Sequence, residues 1–388
     1  MKYDFETITD RKSQGSSKYI SAFKQYPDLG KSVIPLSVAD MEFRNPPELV
    51  EGLKNYLDEV VLGYTIANNS YYDALESWMH RIHDFDIMRK WVVNNSGVVP
   101  AIFSAIRCLT NPGDGVILFS PVYYPFYNAI MTQDRVVADA PLIKRGEDFF
   151  IDFEKFEELA KKPENKVLLF CSPHNPASRV WRREELEKLE RIILENDLYL
   201  ISDEIHSDII LPGIKHTVFQ TLSDELAEKT ITFTSASKTF NLAGMGVCAT
   251  IIKNDELREK FRTATNMSLT GANSALGFKA TEICYNECEE WLNQFIDKVV
   301  ENIEVVREEL KDTKIKIMNT TGTYLLLLDF HEYEMDDEMR EKLLAGSGVI
   351  TDPGRIFGET GSGYERINLA APTDIIRNAC KRIKENFK

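Results

Sequence analysis

Lys238 lies in the stretch 232–244, TFTSASKTFNLAG, where a β-branched run gives way to hydroxyl residues and a glycine. A lysine amine forms a Schiff base only when it can be neutral, which requires a desolvated or cationic pocket that lowers its pKa. A strand end that opens into small residues can supply such a pocket. Ser235, three residues earlier, could bind a phosphate held near the same amine. Taken alone, the stretch favours an ordinary loop lysine, because short lysine–serine motifs are common.

Short apolar runs surround this lysine in sequence, and helical patterns such as 183–196 separate several of them. The runs cover residues 116–119, 136–137, 167–170, 198–201, 230–233 and 247–252. Continuous apolar strands that alternate with helices indicate an α/β domain with a mostly parallel sheet covered on both faces. Ligands bind such sheets outside the carboxyl ends of the strands.

Four of these runs are followed by a side chain suited to that position. They supply the aromatic ring of Tyr123, the amide of Asn175, the carboxylate of Asp203 and the amine of Lys238. Polar residues collect in loops for general reasons. Four such strand ends in series nevertheless predict a common site.

A helix over residues 98–109 is predicted to begin directly after the turn that contains Gly97. Its first backbone N–H groups and the positive end of its dipole would face an anion. The start of this helix, beside Gly97, is therefore a candidate anion site.

The chain ends differ from the alternating middle. Residues 1 to about 35 form a polar arm, and after Cys284 the pattern becomes α+β, with a glycine-rich loop over 353–363. We therefore predict a large domain over 48–283 and a smaller α+β domain formed by 1–47 and 284–388.

Composition restricts the possible partners. The formal charge of −15 argues against nucleic acid and anionic membranes, because both attract basic surfaces. The first 15 residues lack the apolar run of a signal peptide, and no stretch reaches the length of a membrane span. The six cysteines contain no CxxC pair, so we expect free thiols and a cytoplasmic protein.

The combined motifs resemble those of fold type I pyridoxal-phosphate enzymes of the class I/II aminotransferase superfamily. The resemblance extends over nearly the whole chain, through VADMEF (38–43), SDEIH (202–206), SASKTFN (235–241) and RIN (366–368). It implies the fold of the pyridoxal-phosphate-dependent transferases, pyridoxal 5'-phosphate as cofactor and a homodimer with shared active sites.

The resemblance also implies a role for each candidate residue. Lys238 would hold the cofactor covalently and move the substrate α-proton, Asp203 would pair with the ring nitrogen, and Tyr123 would stack on the ring. The remaining cofactor contacts would be Asn175, His206, Ser235, the backbone of Gly97, Val98 and Val99, and Tyr64 of the partner subunit. Substrate contacts would come from Arg366, as a bidentate carboxylate ligand, together with Ala39, Asn175 and Tyr64.

The finer resemblance is to the cystathionine β-lyase and C–S lyase branch, which shares the VADMEF-type signature. Gly246 stands where many aminotransferases have a phosphate-binding arginine, a loss that this branch shares. Ser37 and Ala177-Ser178 depart from the branch pattern, at positions that bear on substrate preference. The implied reaction is an α,β-elimination that converts cystathionine or another cysteine S-conjugate into a thiol, pyruvate and ammonia.

Three alternatives remain open from the sequence. An aminotransferase would use the same site with an oxo-acid co-substrate. A regulatory protein that binds the cofactor and a protein partner would not depend on turnover. A hydrolase would use Asp203, Glu204, His206 and Asp208 as metal ligands, although alternation along a strand would separate these side chains. We expect no metal site.

Overall fold

The structure is a computed structural model, and it describes residues 2–27 and 32–387. The strands are, in chain order, β1 (Ile34–Pro35), β2 (Val92–Asn95), β3 (Gly115–Leu118), β4 (Val136–Asp139), β5 (Ile143–Arg145), β6 (Asp148–Phe150), β7 (Asn165–Cys171), β8 (Tyr199–Asp203), β9 (Thr230–Thr234), β10 (Cys248–Ile251), β11 (Lys316–Ile317), β12 (Leu325–Asp329), β13 (Val349–Ile350), β14 (Asp352–Pro353) and β15 (Tyr364–Asn368).

The α-helices lie between these strands and at both ends of the described chain. They are α1 (Ser17–Gln25), α2 (Pro47–Glu59), α3 (Asn69–His83), α4 (Val98–Leu109), α5 (Pro125–Met131), α6 (Phe153–Ala160), α7 (Arg183–Glu195), α8 (Asp224–Ala227), α9 (Ala236–Thr239), α10 (Asp255–Ser268), α11 (Ala275–Glu287), α12 (Glu289–Leu310), α13 (Asp337–Gly346) and α14 (Thr373–Asn386). Over the described residues, no helix combines the length and the apolarity that crossing a bilayer requires.

The central sheet has seven strands in the order β2-β10-β9-β8-β7-β3-β4, which confirms the predicted α/β class. All neighbours are parallel except β10, which is antiparallel to both β2 and β9. Alternate residues of one strand face opposite layers: Val167 and Leu169 pack with helices α4 and α10, whereas Leu168 and Phe170 pack with α6 and α7. Both faces are covered, so the strands read as continuous apolar runs.

A second sheet, β11-β12-β15-β14, is antiparallel and belongs to the chain's C-terminal part. The N-terminal part joins it, because β1 pairs in parallel with β13 and Phe5 contacts Trp291 with ring centroids 5.3 Å apart. These contacts support the predicted domain division, which remains a prediction.

Within the predicted polar arm, residues 17–25 form helix α1, whose Lys18 is 1% exposed and donates a 2.7 Å hydrogen bond to Glu42. The arm is therefore partly folded onto the body. Sequence inspection detects a helix from regularly spaced apolar residues, and a buried charged residue such as Lys18 does not contribute to that pattern. Helix α1 was therefore not predicted.

Candidate active site

A cavity of about 290 Å³ opens at the carboxyl ends of strands β7, β8 and β9. Ten of the twelve predicted site residues line it: Ala39, Gly97, Val98, Val99, Tyr123, Asn175, Asp203, His206, Lys238 and Arg366. Ser235 and Tyr64 do not. A larger cavity of about 1120 Å³ adjoins it and shares Val38, Ala39, Lys238 and Ala243.

Lys238 lies in the single turn α9 that follows β9, and its side chain is half-buried. Its Nζ donates a 2.7 Å hydrogen bond to the carbonyl of Ala39. Burial, reinforced by the positive charge of Arg366, lowers the pKa of Lys238 to about 8, against the opposing charges of Asp40 and Asp203. A substantial fraction of the amine is therefore neutral near pH 7.5, as a nucleophile or a base requires.

Asp203 ends strand β8 with 2% of its surface exposed. Burial raises the pKa of its carboxyl group to about 7, although the N–H of Ile205 donates a 3.2 Å hydrogen bond to it and Lys238 is a nearby cation. No ion pair to Asp203 occurs among the described residues. A buried carboxylate without a cationic partner is suited to a protonated ring nitrogen brought by a ligand.

Gly97 caps helix α4 with a φ of +156°, and no side chain occupies the cap position. Val98 and Val99 follow as the first two helical residues and line the cavity. The first N–H groups of a helix have no carbonyl partner within it, so they are available to an anion such as a phosphate.

Tyr123 is half-buried beside this helix, and its ring centroid lies 5.4 Å from that of Tyr124. Burial raises the pKa of the Tyr123 hydroxyl, which therefore stays protonated. Tyr124 also lines the cavity but is 42% exposed, so the more enclosed ring is that of Tyr123.

His206 is 2% exposed, and its Nδ1 atom has no hydrogen-bond partner among the described residues. Burial and the charges of Lys238 and Arg366 lower the pKa of this imidazole, so it is neutral. Leaving a buried polar atom unpaired is costly. A ligand with a polar group in the cavity would relieve that cost.

Arg366 lies in β15 directly opposite Asp352 of β14, a strand pairing that was not predicted from the sequence. Its Nε and Nη2 donate to Asp352 Oδ2, and its Nη1 donates a 2.6 Å hydrogen bond to Asn175 Oδ1. One N–H on each terminal nitrogen remains, which is the fork that binds a carboxylate end-on.

Two predicted ligands lie elsewhere. Ser235 caps α9, and its hydroxyl donates a 2.6 Å hydrogen bond to the carbonyl of Val247. Ser237, two residues on, lines the cavity in its place. Tyr64 is fully exposed on the loop between α2 and α3. The roles predicted for Ser235 and Tyr64 remain predictions.

The acidic and histidine residues of the metal hypothesis face separate partners. Glu204 lies 2.9 Å from His216, and Asp208 lies 2.7 Å from His83. Within the described residues, no three metal-ligating side chains converge.

The described side chains fit pyridoxal phosphate. A reactive amine, an unpaired buried carboxylate, a histidine nitrogen without a partner and a helix N-terminus converge on one cavity. Sequence inspection missed two further contributors, Asp352 and Val38. Asp352 directly precedes the glycine-rich loop of 353–363, and its pairing with Arg366 depends on a strand register that the sequence does not show.

The sequence profile of the family "Aminotransferase class I and II" matches residues 31–383. Cystathionine beta-lyase PatB of Bacillus subtilis (strain 168) is 35% identical over 354 residues, which cover 90% of this chain and 92% of that protein.

Among solved structures, cystalysin from Treponema denticola, described as containing a pyridoxal 5'-phosphate cofactor, has a TM-score of 0.98 at 48% identity, covering 100% of this chain and 99% of that one. The pyridoxal-phosphate-bound C–S lyase from Staphylococcus hominis has a TM-score of 0.92 at 28% identity, covering 100% and 98%. The chain therefore belongs to the class I and II aminotransferase family, in its cystathionine β-lyase branch.

Proposed function

We propose that this protein is a pyridoxal-phosphate-dependent carbon–sulfur β-lyase that eliminates a thiol from cystathionine or another cysteine S-conjugate. The observation that carries the proposal is the convergence of Lys238, Asp203 and Arg366 on one cavity in a chain whose relatives are named cystathionine β-lyase and C–S lyase. Bound pyridoxal phosphate would supply an electron sink for the carbanion that forms when the α-proton leaves.

The chain's own residues would hold the cofactor on all sides. Lys238 would bind it covalently, Asp203 would face the ring nitrogen, and Tyr123 would cover one ring face. The N-terminus of α4 would bind the phosphate. Asn175 and His206 would contact the polar edge of the ring, because both line the cavity near Arg366 and Asp203.

The substrate carboxylate would bind the two free N–H groups of Arg366. Once the substrate amine has replaced Lys238 on the cofactor, the freed, neutral amine of Lys238 would take the α-proton as general base. The bond between Cβ and sulfur breaks, and the thiolate leaves with the electron pair of that bond. The three-carbon enamine adds water to give pyruvate and ammonia, so no oxo acid is consumed.

We further propose a homodimer whose sites are shared, which the loop that carries Tyr64 supports. Val61, Leu62, Tyr64 and Ile66 are 88%, 63%, 104% and 83% exposed on that loop. A run of exposed apolar side chains is typical of a surface that a partner covers. A cytoplasmic location is proposed as well, since all six cysteines are free thiols and five of them are buried.

The lyase proposal is tested by the visible spectrum of the purified protein with cystathionine and a pyruvate assay in the same cuvette. We expect the absorption band of lysine-bound cofactor, and pyruvate without added oxo acid. Lys238→Ala should lose both, while Lys260→Ala, at a surface lysine, should lose neither. Pyruvate or product that requires an oxo acid would instead identify an aminotransferase.

Shared sites are tested by mixing two inactive variants. Lys238→Ala and Tyr64→Ala homodimers should each be impaired, but a mixed dimer has one site in which both residues are intact. Activity should therefore return on subunit exchange. A monomeric holoenzyme in light scattering, or no recovery in verified mixed dimers, would reject the shared site.

A further inference from the structure

The carboxylate of Asp352 already occupies one side of the arginine that would bind the substrate. A single oxygen, Oδ2, accepts hydrogen bonds from Arg366 Nε at 3.2 Å, from Arg366 Nη2 and from the backbone N–H of Val38 at 2.9 Å. The two side chains are 13% and 3% exposed. The ion pair is therefore largely removed from solvent, and its electrostatic effect is weakly screened.

This arrangement leaves the arginine able to bind a carboxylate without releasing Asp352. Three of the five guanidinium N–H groups are engaged, two by Asp352 and one by Asn175. The remaining N–H on each terminal nitrogen forms the end-on fork. A substrate α-carboxylate bound there would place two negative charges on one guanidinium.

Few other cations could compensate a further negative charge. Among the described residues that line the 290 Å³ cavity, only Lys238 and Arg366 are cationic, since His206 is neutral. Lys238 would be committed to the cofactor. Besides Lys238, three cations of the described chain line the adjoining cavity: Arg11 is held by Asp40 at 2.9 Å, and Arg44 and Lys54 are exposed to solvent.

We propose that Asp352 is a specificity-determining residue that restricts this site to amino acids whose side chain carries no net negative charge, a class that includes cystathionine because its distal ammonium neutralises its distal carboxylate. The proposal rests on the proposed function and narrows its substrate class. Amino acids and oxo acids whose distal carboxylate has no ammonium group beside it are disfavoured, because that carboxylate would meet the net negative charge left when Asp352 and the α-carboxylate share one guanidinium. The same charge limits transamination, for which a dicarboxylic oxo acid would be an amino acceptor.

Two unreactive ligands isolate this effect from turnover. Butyrate and succinate have the same four-carbon chain, and succinate replaces the terminal methyl group by a carboxylate. Their dissociation constants for the holoenzyme can be measured by absorbance titration of the bound cofactor at constant ionic strength. We expect the protein to bind butyrate more tightly than succinate.

Asp352→Asn removes the charge but keeps an oxygen that accepts from Val38 and Arg366. It should raise the affinity for succinate relative to butyrate about tenfold, the order of effect expected from removing one unit charge close to the ligand at an effective dielectric constant of about 20. Glu332→Gln removes a charge from a surface pair with Lys316 and should leave the ratio unchanged. Asp352→Ala also removes the acceptor for Val38, so it reports on geometry as well as charge.

Three outcomes would overturn the proposal. The unmodified protein could bind succinate more tightly than butyrate, or Asp352→Asn could leave the ratio of the two affinities unchanged. The third outcome is a change of that ratio in Asp352→Ala that Asp352→Asn does not share. None of these measurements involves turnover. Failure of the β-lyase assay would therefore be distinguishable from failure of this inference.

Discussion

Replacing Asp203 by asparagine should stabilise the cofactor-free protein. Burial raises the pKa of Asp203 from its ordinary value of 3.8 to about 7. At about 1.4 kcal/mol per pKa unit, this costs the folded state at most about 4 kcal/mol at pH 8, where the carboxyl group is ionised in both states. An asparagine of the same shape carries no such cost and can still accept the N–H of Ile205.

The sign of the pH dependence follows from proton binding. Between pH 4 and 7 the folded carboxyl group holds a proton that the unfolded chain has lost, so stability rises as the pH falls. The advantage of Asp203→Asn should therefore shrink from about 4 kcal/mol at pH 8 to about 2 kcal/mol at pH 5. Urea unfolding of the cofactor-free protein at fixed protein concentration measures both values.

Loading with pyridoxal phosphate should reverse the sign. A protonated ring nitrogen would pair with Asp203, so the bound cofactor would stabilise the unmodified protein more than the variant. The matched control is Asp208→Asn, because three side chains already form hydrogen bonds with that buried carboxylate. This substitution should not stabilise the cofactor-free protein. The reasoning would be refuted if Asp203→Asn destabilised the cofactor-free protein at pH 8, or if its effect did not change with pH.

Three further outcomes follow from the same geometry. Because the pKa of Lys238 is about 8, the rate at which pyridoxal phosphate bonds to the cofactor-free protein should rise with pH, with the midpoint of the rise near pH 8. Absorbance follows this reaction, and a midpoint near 10.5 would contradict the prediction. Arg366→Lys keeps the charge but not the planar fork, so kcat/KM for a cysteine conjugate should fall at least about 30-fold, and an unchanged value would remove its role. Asp208→Asn should lower the free energy of unfolding by about 3 kcal/mol, because it removes a buried carboxylate that is hydrogen-bonded to Trp78, His83 and Thr239, and an unchanged stability would contradict this.

The central sheet and most of the cavity could be predicted because each depends on a local pattern. The strands of the parallel sheet are apolar on both faces, and the runs at 167–170 and 230–233 fall inside β7 and β9. Polar residues directly after such runs must lie at the same edge of the sheet. Sequence position alone therefore predicted that Asn175, Asp203 and Lys238 would be neighbours.

Features that depend on contacts between distant segments gave no such signal. Asp352 faces Arg366 only because β14 and β15 pair in one particular register. Helix α1 is held by the pair of Lys18 and Glu42, which are separated by 24 positions. The hydroxyl of Ser235, whose role at the phosphate remains a prediction, donates to the carbonyl of Val247 directly before strand β10, a contact that the local sequence does not indicate.

Val38 connects these distant features to the reactive lysine. It has a φ of +60°, a conformation that costs a β-branched residue about 1–2 kcal/mol. Asp352 accepts its N–H at 2.9 Å, and Asn368 Nδ2 donates to its carbonyl at 2.8 Å. The next residue, Ala39, supplies the carbonyl that accepts from Lys238.

The backbone that holds the lysine is thus strained, and it is kept in place by the carboxylate that also holds the substrate-binding arginine. A substrate that alters the Arg366–Asp352 pair would act on the anchor of Val38, and through it on the position of Lys238, since one oxygen serves both contacts.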